Sequence, residues 1–97
     1  LSIEHGTYLS YETLTLMKAK GVYLVPTLIT IEDLKIPGGE YSNPTLELRG
    51  RSMMPEAEQA VKNAITLGVK IATGADNDYS AESTTRVSLE AEHFVRL

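Results

Sequence analysis

Three side chains stand where an apolar run gives way to polar sequence. His5 follows Leu1-Ser2-Ile3-Glu4, Thr27 follows Val22-Tyr23-Leu24-Val25-Pro26, and Asp76 follows Val69-Lys70-Ile71-Ala72-Thr73-Gly74-Ala75. An imidazole nitrogen and a carboxylate oxygen brought to one place suit zinc or a similar divalent ion. A carboxylate within hydrogen-bond reach of water on such an ion can take its proton. Singly, each residue has a plainer role. A histidine before a glycine is more often a hydrogen-bonded structural residue, and an aspartate ahead of Asn77-Asp78 is a good turn former or helix cap. Their shared placement at the ends of apolar runs is what joins them into one candidate site.

That placement depends on the segments between the runs, which have helical period. Tyr11 to Lys20 reads as a helix with Ser10 as N-cap, Leu9 and Leu14 at staple spacing, and Tyr11, Leu14 and Met17 on one face. Lys18 and Lys20 suit its negative end, and Gly21 is a left-handed stop. Val22 to Leu28 reads as a strand buried on both faces, with Pro26 at its end. From Thr30 to Met54 no clean period survives, and Pro37-Gly38-Gly39 and Ser42-Asn43-Pro44 are turn signals. The segment from about 30 to 54 reads as a lid-like insertion, or as a tolerated loop with a short helix around Leu46 to Arg51. Pro55 suits the first position of the next helix, with Glu56 and Glu58 at its positive end. Ala57, Ala60, Val61, Ala64 and Ile65 form its apolar stripe and Gly68 ends it. Val69 to Ala75 is then a third strand. A last helix starts between Ser80 and Ser83, with Val87, Ala91, Phe94 and Val95 inward. Two helices enter strands through the same Gly-Val junction. The expected class is α/β, with parallel strands and right-handed crossovers, and chemistry at the strands' carboxyl ends.

Composition narrows the function. The net charge of −4, with no Lys/Arg cluster, argues against a nucleic-acid partner. No apolar stretch approaches the roughly 20 residues that cross a bilayer, so no membrane partner is expected. The chain has no cysteine, which excludes disulfides and thiolate metal sites and favours a cytoplasmic setting. It opens inside an apolar run and closes in an unfinished helical pattern at Phe94-Val95-Arg96-Leu97, so all 97 residues read as part of a larger domain.

Ser2-Ile3-Glu4-His5-Gly6-Thr7-Tyr8-Leu9, Leu16 to Leu28 and Gly68 to Asp76 resemble, in order and spacing, the amidohydrolase superfamily, closest to its imidazolonepropionase and Xaa-Pro-dipeptidase-like branch. The resemblance implies a fragment of a (β/α)8 TIM-type barrel, about strands six to eight with their helices. It implies one or two zinc-class ions, with His5 as the metal-binding histidine of strand six. Asp76 would be the strand-eight aspartate that binds metal and takes a proton from the attacking water. The family's other ligands lie on strands one, four and five, upstream of Leu1, so the rest of the barrel is an implied partner and the chain by itself should be inactive. Ala75 departs from the Gly-Thr-Asp triplet of many relatives.

Around this pair, Tyr8 is placed to touch substrate or to pack on the first helix. Pro26 and Thr27 are expected to line the pocket floor. Arg49 and Arg51 in the lid could clasp a substrate carboxylate, although loop arginines are usually solvated. Asp78 would position Asn77 or cap the last helix. Glu4 is read as structural and pointing away from His5, and His93 as a surface residue without a partner. The expected activity is zinc-dependent hydrolysis of an amide bond in a dipeptide or N-acyl amino acid. The alternatives are opening of an imidazolone-like ring, or a non-catalytic βα module. Homo-oligomerisation is open.

Overall fold

In a computed structural model describing residues 1–39, 43–76 and 86–97, the chain is an α/β unit. β1 (Ser2–Glu4) pairs in parallel with β2 (Tyr23–Val25), placing Ser2 opposite Tyr23, Ile3 opposite Leu24 and Glu4 opposite Val25. Leu24 makes a further parallel bridge to Ile71, donating its N–H to Lys70 O and accepting that of Ala72, both at 2.9 Å. β2 therefore lies in the middle, and the carboxyl ends of all three segments share one edge. The expected third strand is reduced to that single bridge. Just beyond it the backbone of Gly74 closes on β2 so tightly that a Cβ would meet Val25 Cγ1 at 2.6 Å.

β2 is shorter than its apolar run. Pro26 has no N–H for a ladder, and Thr27 takes a left-handed backbone (φ 50°) that turns the chain into α2 (Leu28–Leu34). Leu28, expected in the strand, is a buried helix residue. α1 (Tyr11–Lys20) forms as expected: the Ser10 hydroxyl accepts the Thr13 N–H at 3.2 Å, and Gly21 (φ 64°) closes the carboxyl end. Leu14 and Met17 are buried, whereas Tyr11 stays exposed.

The largest correction concerns the segment from 30 to 54, most of whose described residues are helical. α3 (Pro44–Leu67) runs 24 residues, with Asn43 Oδ1 accepting the Thr45 N–H at 2.9 Å and Pro44 opening the first turn. Pro55, expected to start a helix, lies inside this one and leaves the Arg51 carbonyl without its usual donor. Continuous burial compensates. Gly50, Met54, Ala57, Val61 and Ala64 recur at alternating steps of four and three, forming one inward row against α1 and α2. Ile65, expected in that row, is exposed. The helix escapes a hydrophobic reading because its row begins with a glycine among Arg49, Arg51 and Ser52.

The core gathers Leu14, Met17, Leu24, Leu28, Ile31, Met54, Val61 and Val69. α4 (Arg86–Arg96) covers the α2 side of it with a face that keeps Phe94 of the expected set but not Val87, Ala91 or Val95. Val87 and Ala91 are exposed and Val95 is 87% exposed, while Glu90 is 0% exposed and Phe94 and Leu97 pack on the core. The expected helix start at Ser80 to Ser83, and Asn77 and Asp78, lie outside the described residues. Among the described residues no helix is long and apolar enough to cross a membrane.

α2 and α3 touch at Gly50, where a Cβ would meet Leu34 Cβ at 2.8 Å and Ile31 O at 3.2 Å. Alanine in place of a helical glycine ordinarily stabilises by about 1 kcal/mol. Here the overpacking, about 1–3 kcal/mol, opposes that gain. Gly50→Ala is expected to lower unfolding stability by about 1 kcal/mol in urea titration; a stabilised variant would contradict this helix contact.

Candidate functional site

His5, Thr27 and Asp76 all have left-handed backbones (φ 63°, 50° and 42°) and are the only described residues other than glycine that do. Such a conformation costs a non-glycine residue roughly 1–2 kcal/mol, so each must be held by its surroundings. The His5 N–H donates to Val25 O at 2.8 Å, extending the ladder by one bond. The Thr30 hydroxyl reaches the carbonyls of Ala75 (3.1 Å) and Asp76 (3.2 Å), tying the end of the third segment to α2. The three strand ends are thus fastened into one cluster at the edge predicted for chemistry.

Within it, His5 Nδ1 lies 2.7 Å from Thr27 Oγ1 and 3.9 Å from Asp76 Oδ2. The histidine and aspartate side chains are 55% and 51% exposed, whereas Thr27 is buried. The Thr27 hydroxyl also lies 2.8 Å from its neighbour's acceptor, Pro26 O, so it works as a structural anchor for the imidazole.

That arrangement is possible because Thr27 is relieved of another task. It is the N-cap of α2, yet its side chain makes no capping hydrogen bond. Glu90, from α4, caps the helix instead: Oε1 accepts the Leu28 N–H at 2.9 Å and Oε2 the Ile29 N–H at 3.0 Å. Consecutive N–H groups following a left-handed residue form a concavity suited to an anion. Two polar contacts hold α4 in place, the ion pair of Arg86 with Asp33 of α2 and the approach of His93 Nε2 to Glu58 Oε1 of α3 at 3.2 Å. His93 is therefore an inward, paired residue and not the free surface group expected. Burial raises the Glu90 carboxyl above its ordinary 4.5, outweighing the Ile29 and Leu28 N–H bonds, the nearby His93 and a Thr27 backbone contact, all of which lower it.

Glu90 and His93 were missed because charged residues on a terminal helix read as solvated. One signal was present: Arg86, Glu90, His93 and Leu97 fall at successive steps of four, three and four, one helical stripe. The other candidates lie apart from the cluster. Tyr8 is exposed in a groove with Ser10, Tyr11, Glu56, Gln59 and Asn63. Arg49 and Arg51 are exposed on α3, not in an open loop. Glu4 accepts from the Ser2 hydroxyl at 2.6 Å, in keeping with a structural role.

His5 and Asp76 are donors of the type a zinc-class ion takes, but they are two where a catalytic ion needs three. Among the described residues no group of three or more His, Cys, Asp or Glu side chains converges to hold one. Further ligands would have to come from outside these residues. No protein-family model, curated protein or solved structure matches the chain.

The Glu90 shift makes a signed prediction. With its folded-state value above that of the unfolded chain, the native state binds the extra proton, so this group's contribution to stability falls as pH rises from about 4.5 through the raised value and is flat above it. In urea titrations across pH 4 to 8, the stability difference between wild type and Glu90→Gln should fall over that window. A difference that grows with pH would mean that the hydrogen bonds outweigh burial.

Proposed function

We propose that this chain is the carboxyl-terminal part of a metal-dependent amidohydrolase barrel, contributing strands six to eight and hydrolysing an amide bond in a dipeptide or N-acyl amino acid. The observation that carries the reading is the convergence of His5 and Asp76, Nδ1 to Oδ2 3.9 Å, at the carboxyl ends of two segments flanking a central parallel strand. That is the edge where parallel α/β sheets and barrels collect their chemistry. The left-handed backbones at both positions support the same reading, since strain of this kind clusters at functional sites.

In this reading His5 and Asp76 would hold part of a zinc-class ion's ligand set, with the remainder supplied by strands one to five. When bound, the ion polarises the scissile carbonyl and lowers the pKa of water. Asp76 accepts a proton from the water that adds to the carbonyl carbon. It then passes that proton to the amine nitrogen as the C–N bond breaks. Asp76 suits this exchange because its side chain is half exposed.

The test joins this chain to a segment supplying strands one to five and follows zinc content together with hydrolysis of a dipeptide panel. Asp76→Asn is expected to leave the fold intact and lower kcat by about 10²- to 10⁴-fold, the usual worth of a general acid–base group. His5→Ala is expected to lower metal per chain in elemental analysis. Near-normal turnover in the first variant, or full occupancy in the second, would remove that residue from its role.

A further inference from the structure

We infer that Thr27 is a positioning residue that fixes His5 in the Nδ1–H tautomer and leaves Nε2 as the nitrogen with the free lone pair. A threonine hydroxyl has one proton to give and two lone pairs with which to accept. Thr27 Oγ1 is 2.8 Å from Pro26 O, a carbonyl that can only accept, and 2.7 Å from His5 Nδ1. Giving its proton to the carbonyl, the hydroxyl must receive one from the imidazole, and Nδ1 carries it. The charge nearby pushes the same way, because the Asp76 carboxylate lies 3.9 Å from Nδ1 and favours an N–H there over a lone pair.

The environment of Thr27 makes the assignment firm. Its side chain is buried, so water does not compete for the hydroxyl. Its left-handed backbone turns the side chain away from the helix it precedes, and of the N–H groups it could cap, that of Ile29 is taken by Glu90 and that of Thr30 by the Thr27 carbonyl at 3.2 Å. Among the described residues the hydroxyl therefore has two partners and no third. The result is a histidine whose Nδ1 is committed to the protein and whose Nε2 is free to act as a ligand or to accept a proton, the arrangement in which a second hydrogen bond orients a metal-binding ring. Asp76 lies on the Nδ1 side of the ring, so the carboxylate and an ion on Nε2 meet only if the half-exposed Asp76 side chain rotates. That Nε2 is offered to a metal rests on the amidohydrolase reading, whereas the tautomer rests on the hydrogen bonds alone.

The experiment is a long-range ¹H–¹⁵N correlation spectrum of the imidazoles in the uniformly labelled 97-residue chain, metal-free, with the rings neutral. The chain has two histidines, and His93→Gln separates their signals. His5 is expected to show a protonated Nδ1 and an unprotonated Nε2, against the preference of free imidazole side chains for the opposite form. Thr27→Val keeps the branched shape and removes the hydroxyl. It should move the tautomer ratio toward Nε2–H by about fivefold, the worth of one hydrogen bond, and Thr27→Ser should restore it. An Nε2–H ring in the wild type overturns the proposal whether or not either variant folds, and so does an unchanged ratio in a folded Thr27→Val. No metal or turnover enters the readout, so this failure is separate from a failure of the amidohydrolase reading in the reconstituted barrel.

Discussion

Everything at the candidate site hangs on one carboxylate that belongs to another helix. Glu90 is wholly buried and accepts the first two N–H groups of α2. Left unpaired, the buried Leu28 donor would cost about 1–3 kcal/mol and the half-buried Ile29 donor less; left without donors, the carboxylate would be far more costly to bury. Neither half is tolerable without the other, which is why a terminal helix with an exposed apolar side docks by a polar stripe. Arg86 and His93 complete the stripe by pairing with Asp33 and Glu58, so α4 is held to α2 and α3 at three points along its length.

The consequence at the site is indirect but definite. An N-cap threonine normally spends its hydroxyl on its own helix and sits in extended backbone. With Glu90 in that place, Thr27 can adopt φ 50° and turn its hydroxyl to His5. The same turn places α2 so that Thr30 reaches the Asp76 carbonyl and Gly50 lets α3 close against Leu34. Three left-handed residues, one from each parallel segment, are thereby held by the elements around them.

Much of this was legible in the chain's pattern. The carboxyl-end placement of His5, Thr27 and Asp76 followed from three apolar runs, and α1 from Ser10, Gly21 and the Leu14–Met17 spacing, because these are local signals. The parallel pairing followed from helices lying between the runs. What was not legible was tertiary. Pro55 looked like a start because proline usually is one, yet the inward row from Gly50 to Ala64 carries the helix through it. Of the apolar residues expected inward on α4 only Phe94 packs on the core, because nothing local announces that a buried helix end needs an anion. The third strand looked longer than it is, since its apolar run does not reveal that it pairs with β2 at one bridge only.

The central claim is that Glu90 holds Thr27 in the conformation that orients His5, and the most direct measurement is the His5 imidazole ¹⁵N pattern in Glu90→Ala, with circular dichroism confirming that the helices remain. Without the carboxylate, Thr27 should relax toward extended backbone and cap α2 itself, releasing His5. The account predicts a shift of the ring toward its Nε2–H form, even though residue 90 makes no hydrogen bond to His5. A folded Glu90→Ala whose His5 pattern matches wild type would show that the histidine is held independently of α4, and would contradict it.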